Sequence, residues 1–363
     1  MKILFFIRSL VGGGAERVTT ILANTLANQG HHVKVFIKDN IIDYDLNNEV
    51  EIYFSPPSKY NNPLLSYYKR YNDSKIIIKD FSPDVIVASY GCNLLQVLLA
   101  ASKVPVIASE HNTFDRKHSI HEKINRFILN RFCNKVVVLT RYDKVFVSRQ
   151  LNNVVVIPNP LSFEPMSEEE YESSYSKRHN ILACGRLNAY HVKGFDTLIE
   201  CFSTIARKYL DWDLDIAGKG DKESENYLKR LCIQYNIEER VHFIGFSEHI
   251  ENSMKEHSLF ALTSRSEGFG MVLTEAMSMG CPCVSFDLSG PSEIIVNSVD
   301  GLLVENQNKE AFSNALEKMI DDEKTRRTFG RRGLTNVRRF SQREIIKQWI
   351  TLFESVSTSN QKA

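Results

Sequence analysis

The amino-acid sequence predicts an α/β protein of two domains, each built on a parallel sheet, and three features carry that prediction. Near the N-terminus, an apolar run from Ile3 to Ile7 is followed by a glycine-rich turn, an amphipathic helix and a second strand over residues 33–37. The order of strand, glycine turn and helix returns between residues 259 and 280. Between these regions, Pro158-Asn159-Pro160 and an acidic, serine-rich stretch interrupt regular structure. We therefore expect the domain boundary after residue 164.

The composition fits a chain with two sizeable cores and no global charge bias. The chain has 363 residues, with 45 Lys and Arg against 44 Asp and Glu, so its net charge of +1 gives no general attraction to nucleic acid or membranes. Seven cysteines without a CxxC motif predict buried thiols in a reducing cytosol. No apolar run is long enough to span a bilayer, and we expect a cytoplasmic location.

Short apolar runs predict the other strands of the first domain. Such near-continuous runs are typical of parallel strands, because helices cover both faces of the sheet. They occupy residues 83–89, 104–109, 136–139 and 154–157, and a helix is predicted over about 64–81.

Three glycines, Gly12, Gly13 and Gly14, lie between the first strand and its helix. A dinucleotide fingerprint would need a glycine where Arg17 stands, and no Walker A lysine follows. Two interpretations stay open. The segment is either a tight turn without a ligand, or a turn whose amides approach a bound group closely.

His111 follows the strand over residues 104–109. Ligands of open α/β sheets bind beyond the carboxyl ends of the strands, so this position favours a functional role. A purely structural histidine is the alternative.

Residues 115–135 predict a basic amphipathic helix. Its apolar stripe consists of Ile120, Ile124, Phe127, Ile128 and Phe132. Basic residues surround the stripe, namely Arg116, Lys117, His118, Lys123, Arg126, Arg131 and Lys135. Such a helix either packs on its own sheet with solvated lysines outside, or contacts an anionic membrane.

The second domain begins with a strand over residues 180–184, and two cations follow it. Arg186 and Lys193 flank the next loop, where they are either solvated or bind an anion. A later strand contains Asp213 and Asp215, a spacing that also occurs in metal motifs. The alternation of apolar residues explains these aspartates better, so we expect no metal.

The stretch from Thr263 to Met277 organises the second domain. A buried strand over residues 259–262 precedes polar residues and two glycines, and a helix follows that should stop at Gly280. The turn places free amides and the positive end of a helix dipole at one point, which suits a phosphate. Glu267 and Glu275 frame the turn, and carboxylates accept hydrogen bonds well from vicinal hydroxyls. These features together predict a sugar-nucleotide site.

The segment SEGFGMVLTEAMSMGCPCV, with its Glu-x7-Glu spacing, resembles the signature of retaining GT4-type glycosyltransferases. The GGGAE loop near the N-terminus matches the GGxE pattern of the same family. The resemblance implies a GT-B fold, in which two Rossmann-like domains with parallel sheets face a central cleft and the C-terminal helix crosses back to the first domain. It implies acceptor binding by residues 1–164 together with a helix over about 345–363, and donor binding by residues 165–344.

The resemblance also assigns roles. The implied catalytic residues are His111, Arg186, Lys193 and Glu267. The implied donor-binding residues are Gly13, Gly14, Gly218, Phe246, Phe269, Gly270, Met271, Val272, Leu273 and Glu275. Arg186 and Lys193 would grip the donor diphosphate, Glu267 would orient sugar hydroxyls, and no metal or other cofactor is expected.

The expected reaction moves a hexose or N-acetylhexosamine from a nucleotide diphosphate sugar, with UDP as first choice, to a saccharide acceptor. A lipid-linked acceptor in bacterial glycan assembly would explain a membrane contact through residues 115–135. Two alternatives stay open: a UDP-sugar 2-epimerase of GT-B fold, and a non-catalytic sugar-nucleotide-binding partner. The arginine-rich C-terminus has an apolar stripe that favours packing over nucleic-acid binding.

Overall fold

The computed structural model describes residues 1–39, 41–56, 62–89, 92–114, 120–173 and 178–360. The strands, in chain order, are β1 (Lys2–Ile7), β2 (His32–Ile37), β3 (Val50–Phe54), β4 (Val85–Ser89), β5 (Val106–Ser109), β6 (Lys135–Val138), β7 (Val154–Val156), β8 (Arg178–Cys184), β9 (Asp213–Ala217), β10 (Val241–Gly245), β11 (His257–Leu262), β12 (Cys283–Phe286) and β13 (Gly301–Val304). The helices are α1 (Gly14–Asn28), α2 (Pro63–Phe81), α3 (Leu94–Ala101), α4 (Ile120–Phe127), α5 (Arg141–Val147), α6 (Glu168–Ser173), α7 (Tyr190–Lys193), α8 (Phe195–Lys208), α9 (Lys222–Gln234), α10 (Ile250–Glu256), α11 (Met271–Ser278), α12 (Ser289–Ile294), α13 (Lys309–Asp321), α14 (Glu323–Val337) and α15 (Gln342–Asn360).

The first compact unit consists of residues 1–162 and the segment from Phe340 onward. Its sheet has the strand order β3-β2-β1-β4-β5-β6-β7, and every neighbouring pair is parallel. The order reverses between β1 and β4, where crossover helices change from one face to the other. Ligands bind beyond the carboxyl ends of strands at such a switch point.

The second compact unit consists of residues 163–339. Its parallel sheet has the order β10-β9-β8-β11-β12-β13, so its switch point lies between β8 and β11. The predicted α/β class with two Rossmann-like, parallel-sheet domains is confirmed. Trp212, Leu214 and Ile216, in and just before β9, are buried in one core cluster, as the alternation of apolar residues predicts.

The C-terminal helix α15 belongs to the first unit, as predicted. Its apolar stripe is buried, with Trp349 and Phe353 in ring contact at 5.6 Å. Gln342 donates from its amide to the Leu161 carbonyl at 3.2 Å and accepts from the Thr25 hydroxyl at 3.3 Å. The final helix is therefore held by residues far away in the sequence.

The prediction of a single helix over residues 115–135 is wrong. Residues 115–119, and with them Arg116, Lys117 and His118, lie outside the described residues. The rest divides into α4, a 3₁₀ turn over Leu129–Phe132 and strand β6, which already contains Lys135. Arg126 is not on a solvated basic face, because it is 1% exposed and forms an ion pair with Glu110.

The cysteines are free thiols, as expected. Cys92 is half-buried and the other six are buried. Burial raises the pKa of Cys92 and Cys133 to about 12, so both are neutral thiols at physiological pH. In the part of the chain that the structure describes, no helix combines the length and apolar character that a membrane span requires.

Candidate functional site

In the second sheet, the backbones just after β8 and β9 and at the end of β10 approach one another closely. Gly218 has a φ of +150°, and a Cβ at this position would lie 1.8 Å from the Gly185 carbonyl oxygen. Its amide donates to the Gly245 carbonyl at 2.7 Å. Only glycine permits this approach, which brings Arg186 and Phe246 to the same edge of the sheet.

Helix α7 is held against the end of β11. Gly194 has a φ of +71°, and a Cβ there would lie 1.8 Å from the Thr263 carbonyl oxygen. The Arg265 amide donates to the Val192 carbonyl at 2.8 Å. The Arg265 guanidinium donates to both Asp196 carboxylate oxygens, at 2.7 and 3.0 Å, and to the His191 carbonyl. The loop that carries Lys193 is therefore fixed to the loop that carries Glu267.

Lys193 and Glu267 are in direct contact. The Lys193 Nζ lies 2.9 Å from Glu267 Oε2, and both side chains are partly buried. The Ser264 hydroxyl donates to the same carboxylate oxygen at 3.3 Å. Arg186 lies beyond the neighbouring strand β8 with its side chain exposed, and it makes no ion pair or side-chain hydrogen bond within the described residues. Lys193 is thus held by a carboxylate, whereas Arg186 is open to an anionic ligand.

Helix α11 begins at the glycine turn after β11. Gly270 precedes it with a φ of +98° and offers no side-chain cap to the first-turn amides. Phe269 is buried against Gly290, where a Cβ would come within 2.4 Å of the Phe269 carbonyl oxygen. The amides of Met271 and Val272 therefore lie in a helix N-terminus suited to a phosphate.

The remaining predicted donor residues differ in their exposure. Leu273 and Glu275 are buried in α11, whereas Met271 and Val272 are half-buried. Phe246 is 60% exposed, and the Lys219 ammonium lies over its ring at 4.7 Å from the centroid. An exposed aromatic face of this kind is able to stack on a planar ligand.

Gly13, Gly14 and His111 belong to the first unit. Gly13 is the N-cap of α1 in an extended conformation, and Gly14 is the first residue of the helix. His111 follows β5, and its Nε2 lies 3.1 Å from the Ser109 hydroxyl. Its Nδ1 is buried without a hydrogen-bond partner in the described structure. Burial lowers the pKa of His111 to about 4, so the imidazole is neutral at pH 7.

A buried ion pair shapes the loop that carries His111. Arg126 Nε lies 3.0 Å from Glu110 Oε2, and its other nitrogens donate to the carbonyls of Thr113 and Asn112. The Asn130 amide donates to the second Glu110 oxygen at 3.0 Å. Removing one partner from such a pair typically costs about 3–5 kcal/mol, because the other charge stays buried.

Substitution of His111 by asparagine should reduce the acid sensitivity of the first unit. The folded pKa of about 4 lies below the ordinary 6.5, so the unfolded chain binds the proton more readily. The resulting stability is fully present above pH 6.5 and is lost as the pH falls toward 4. When the pH is lowered from 7 to 5, the free energy of unfolding should fall by about 1–2 kcal/mol less in His111→Asn than in wild type. Urea unfolding at the two pH values measures this difference.

The matched control for this measurement is His249→Asn, which changes an exposed ring in the other unit. This variant should keep the wild-type pH dependence. An equal acid loss in wild type and His111→Asn would contradict the role assigned to the buried imidazole.

The aspartates of β9 contact nitrogen atoms of basic side chains. Asp213 Oδ1 lies 2.5 Å from Arg240 Nε, and Asp215 Oδ2 lies 2.8 Å from His257 Nε2. Among the described residues, no three His, Cys, Asp or Glu side chains lie close enough together to hold a metal ion.

Three residues of these networks were not predicted from the sequence. Asp196 and Arg265 join two loops whose sequence separation hides the contact, and Arg126 is indistinguishable in sequence from the basic residues around it. The position of Arg265 within the Ser-rich turn before Glu267 was the only available signal for its importance.

Two family models match the chain. The model described as Glycosyltransferase Family 4 matches residues 12–164, and Glycosyl transferases group 1 matches residues 167–335. A glycosyltransferase of Haemophilus influenzae is 30% identical over 88% of this chain and 91% of its own length. The class defined by fold and sequence is thus a GT-B glycosyltransferase. The chain belongs to the GT4-type family of glycosyl transferases group 1.

Two further similar proteins have informative names. An α-1,4-N-acetyl-D-galactosaminyltransferase of Campylobacter jejuni, named for a saccharide carried on PP-undecaprenol, is 27% identical over 99% of this chain and 100% of its own length. The crystal structure of Anabaena HepE in complex with UDP has a TM-score of 0.78 and 20% identity, and covers 98% of this chain and 100% of that chain.

Proposed function

We propose that this glycosyltransferase moves a hexosyl or N-acetylhexosaminyl group from a UDP-sugar to a lipid-linked saccharide in bacterial surface glycan assembly, with retention and without a metal. The observation that carries the donor half is the contact of Lys193 with Glu267 beside the uncapped N-terminus of α11. The UDP complex of Anabaena HepE supports the nucleotide, and the undecaprenol-linked substrate of the Campylobacter relative supports the acceptor class. We propose a cytoplasmic location at the membrane face.

The proposed chemistry stabilises the leaving diphosphate. Arg186, Lys193 and the first-turn amides of α11 are assigned to the charge that develops on its oxygens, and one preorganised donor of this kind is typically worth roughly 3–4 kcal/mol. A leaving phosphate oxygen takes the acceptor proton on the same face, so the anomeric configuration is retained without a protein nucleophile. Glu267 orients Lys193 and the sugar hydroxyls, and buried Glu275 accepts from the ribose.

His111 is assigned to the donor hexose. Because its imidazole is neutral at pH 7, it is able to donate or accept a hydrogen bond there without adding a charge. The glycines of the first unit, Gly13 and Gly14, are assigned to close backbone approach toward the donor diphosphate.

Saturation-transfer NMR with UDP-, GDP- and ADP-sugars tests the donor assignment. We expect one UDP-hexose or UDP-N-acetylhexosamine to bind, and turnover to require an added acceptor. Conversion of the UDP-sugar without acceptor would favour the epimerase. Tight binding with no turnover on lipid-linked saccharides would favour the non-catalytic partner, and binding by none of the sugars would overturn the donor site.

Removal of divalent metals should leave transfer unchanged. In this proposal, protein cations and amides supply the positive charge that a metal provides in other enzymes. We expect the rate after EDTA treatment to stay within about twofold of the rate of the untreated enzyme, because no step of the proposed reaction uses a metal. Complete loss that added Mg²⁺ or Mn²⁺ reverses would show that the aspartates of β9, or other groups, hold a metal after all.

A further inference from the structure

A pocket of about 520 Å³ lies at the switch point of the first sheet. Ile7 at the end of β1, Lys38 just after β2 and Asn93 just before α3 are among its lining residues. Its volume falls in the range of about 300–1,000 Å³ that small-molecule sites occupy. Its walls are mainly apolar and include Phe6, Phe36, Leu95, Val97, Ile124 and Leu129.

The polar groups of this pocket favour an anion. Lys38 and Arg70 line it, and no Asp or Glu is among its lining residues. The Arg70 guanidinium makes no ion pair or side-chain hydrogen bond with the residues that the structure describes. Tyr67 also lines the pocket, and its hydroxyl is buried without a hydrogen-bond partner among the described residues. A buried hydroxyl without a partner costs about 1–3 kcal/mol, a cost that a ligand acceptor would remove.

The rim of the pocket continues into exposed apolar side chains. Leu95 and Ile124 line the pocket and are each 41% exposed. One helical turn further along lie Leu99 and Ile128, at 58% and 52%, and Phe132 follows at 71%. Exposed large apolar residues that extend from a pocket mark a surface for an apolar partner. Such a surface has no evident use for a free saccharide.

We propose that this pocket binds the isoprenoid diphosphate part of a lipid-linked acceptor. The diphosphate meets Arg70, Lys38 and the Tyr67 hydroxyl, and the first isoprene units fill the apolar walls. The rest of the chain leaves over Leu99 and Phe132 toward the membrane. The inference rests on the proposed function, because it identifies the carrier of the acceptor saccharide. Within residues 115–135, it assigns the membrane-facing surface to the exposed apolar side chains of Ile124, Ile128 and Phe132 and not to the basic residues.

Calorimetric titration of the full chain with geranylgeranyl diphosphate tests the site. We expect saturable binding to wild type. The affinity should fall about tenfold or more in Arg70→Met and several-fold in Tyr67→Phe, as expected for the loss of hydrogen bonds to a charged group. The matched control is Arg230→Met, which changes an exposed arginine of the other unit. Geranylgeraniol and inorganic diphosphate, which each lack one half of the ligand, should both bind more weakly.

Tyr67→Phe separates a binding role from a structural one. In the free protein the hydroxyl has no partner among the described residues, so its removal should leave the unfolding temperature unchanged or raised. Unchanged affinity in both Arg70→Met and Tyr67→Phe would overturn the site. Equal binding to phosphatidylglycerol vesicles by all variants, without response to the prenyl diphosphate, would reduce it to general membrane contact and overturn it as well.

Donor binding measured on the same samples distinguishes the two proposals. A chain that binds a UDP-sugar but not geranylgeranyl diphosphate contradicts the acceptor pocket and leaves the donor half intact. A chain that binds neither ligand contradicts the proposed function itself.

Discussion

Replacement of Arg186 by methionine should lower kcat/KM for the donor sugar at least about tenfold, and up to a thousandfold if one preorganised charge-stabilising group is lost. Arg186 follows β8 at the switch point of the second sheet, with its side chain exposed. In the proposed reaction, charge develops on the leaving diphosphate in the transition state, so the loss should appear mainly in kcat. Steady-state kinetics at saturating acceptor measure it.

Two further variants make the result specific. Arg186→Lys keeps the charge but not the planar pair of donors, and should fall between wild type and Arg186→Met. Arg230→Met removes an exposed arginine of α9 and should leave the kinetics unchanged. If Arg186→Met retained wild-type kcat/KM, the guanidinium would have no part in stabilising the diphosphate.

The pair Lys193 and Glu267 should behave as one unit in a double-mutant cycle. Because the two side chains are 2.9 Å apart, loss of either charge leaves the other misplaced. We expect Lys193→Met and Glu267→Gln each to lower kcat about 100-fold or more, and the double variant to lose little beyond the worse single change. Stopped-assay kinetics of the four proteins give the coupling.

An exposed pair in the same unit provides the control for this cycle. Lys208 and Glu317 lie 2.5 Å apart on the surface of α8 and α13, and their neutralisation should not alter transfer. If the fold-loss in kcat of the double variant equalled the product of the two single fold-losses, a shared role would be contradicted. This outcome would indicate that each residue meets the substrate independently.

The elements of the second unit could be predicted because local patterns specify them. The run before Thr263 is apolar, the glycines permit the turn, and the apolar spacing after Gly270 is helical, so β11 and α11 occur where expected. The glycine loop before α1 followed from the same kind of signal. The parallel order then follows where strands are joined through helices, which is the case for every connection except that between β2 and β3.

The segment from residue 115 to 135 shows where pattern fails. Hydrophobic period and charge predicted one basic surface helix, but the Glu110 carboxylate and two backbone carbonyls surround the Arg126 guanidinium. Sequence cannot distinguish this arginine from a solvated one, since only its long-range partners make burial tolerable.

Sequence by itself determined the two parallel-sheet units, the glycine turn between β11 and α11, and the membership of the GT4-type family. Each of these rests on spacing along a short stretch of chain. Only the tertiary structure decided that Lys193 meets Glu267, that Arg265 joins their loops through Asp196, and that Tyr67 and Arg70 line an apolar pocket. These facts depend on contacts between residues distant in sequence. The strand order and the close glycine approaches at Gly194 and Gly218 create such contacts, and no local periodicity encodes them.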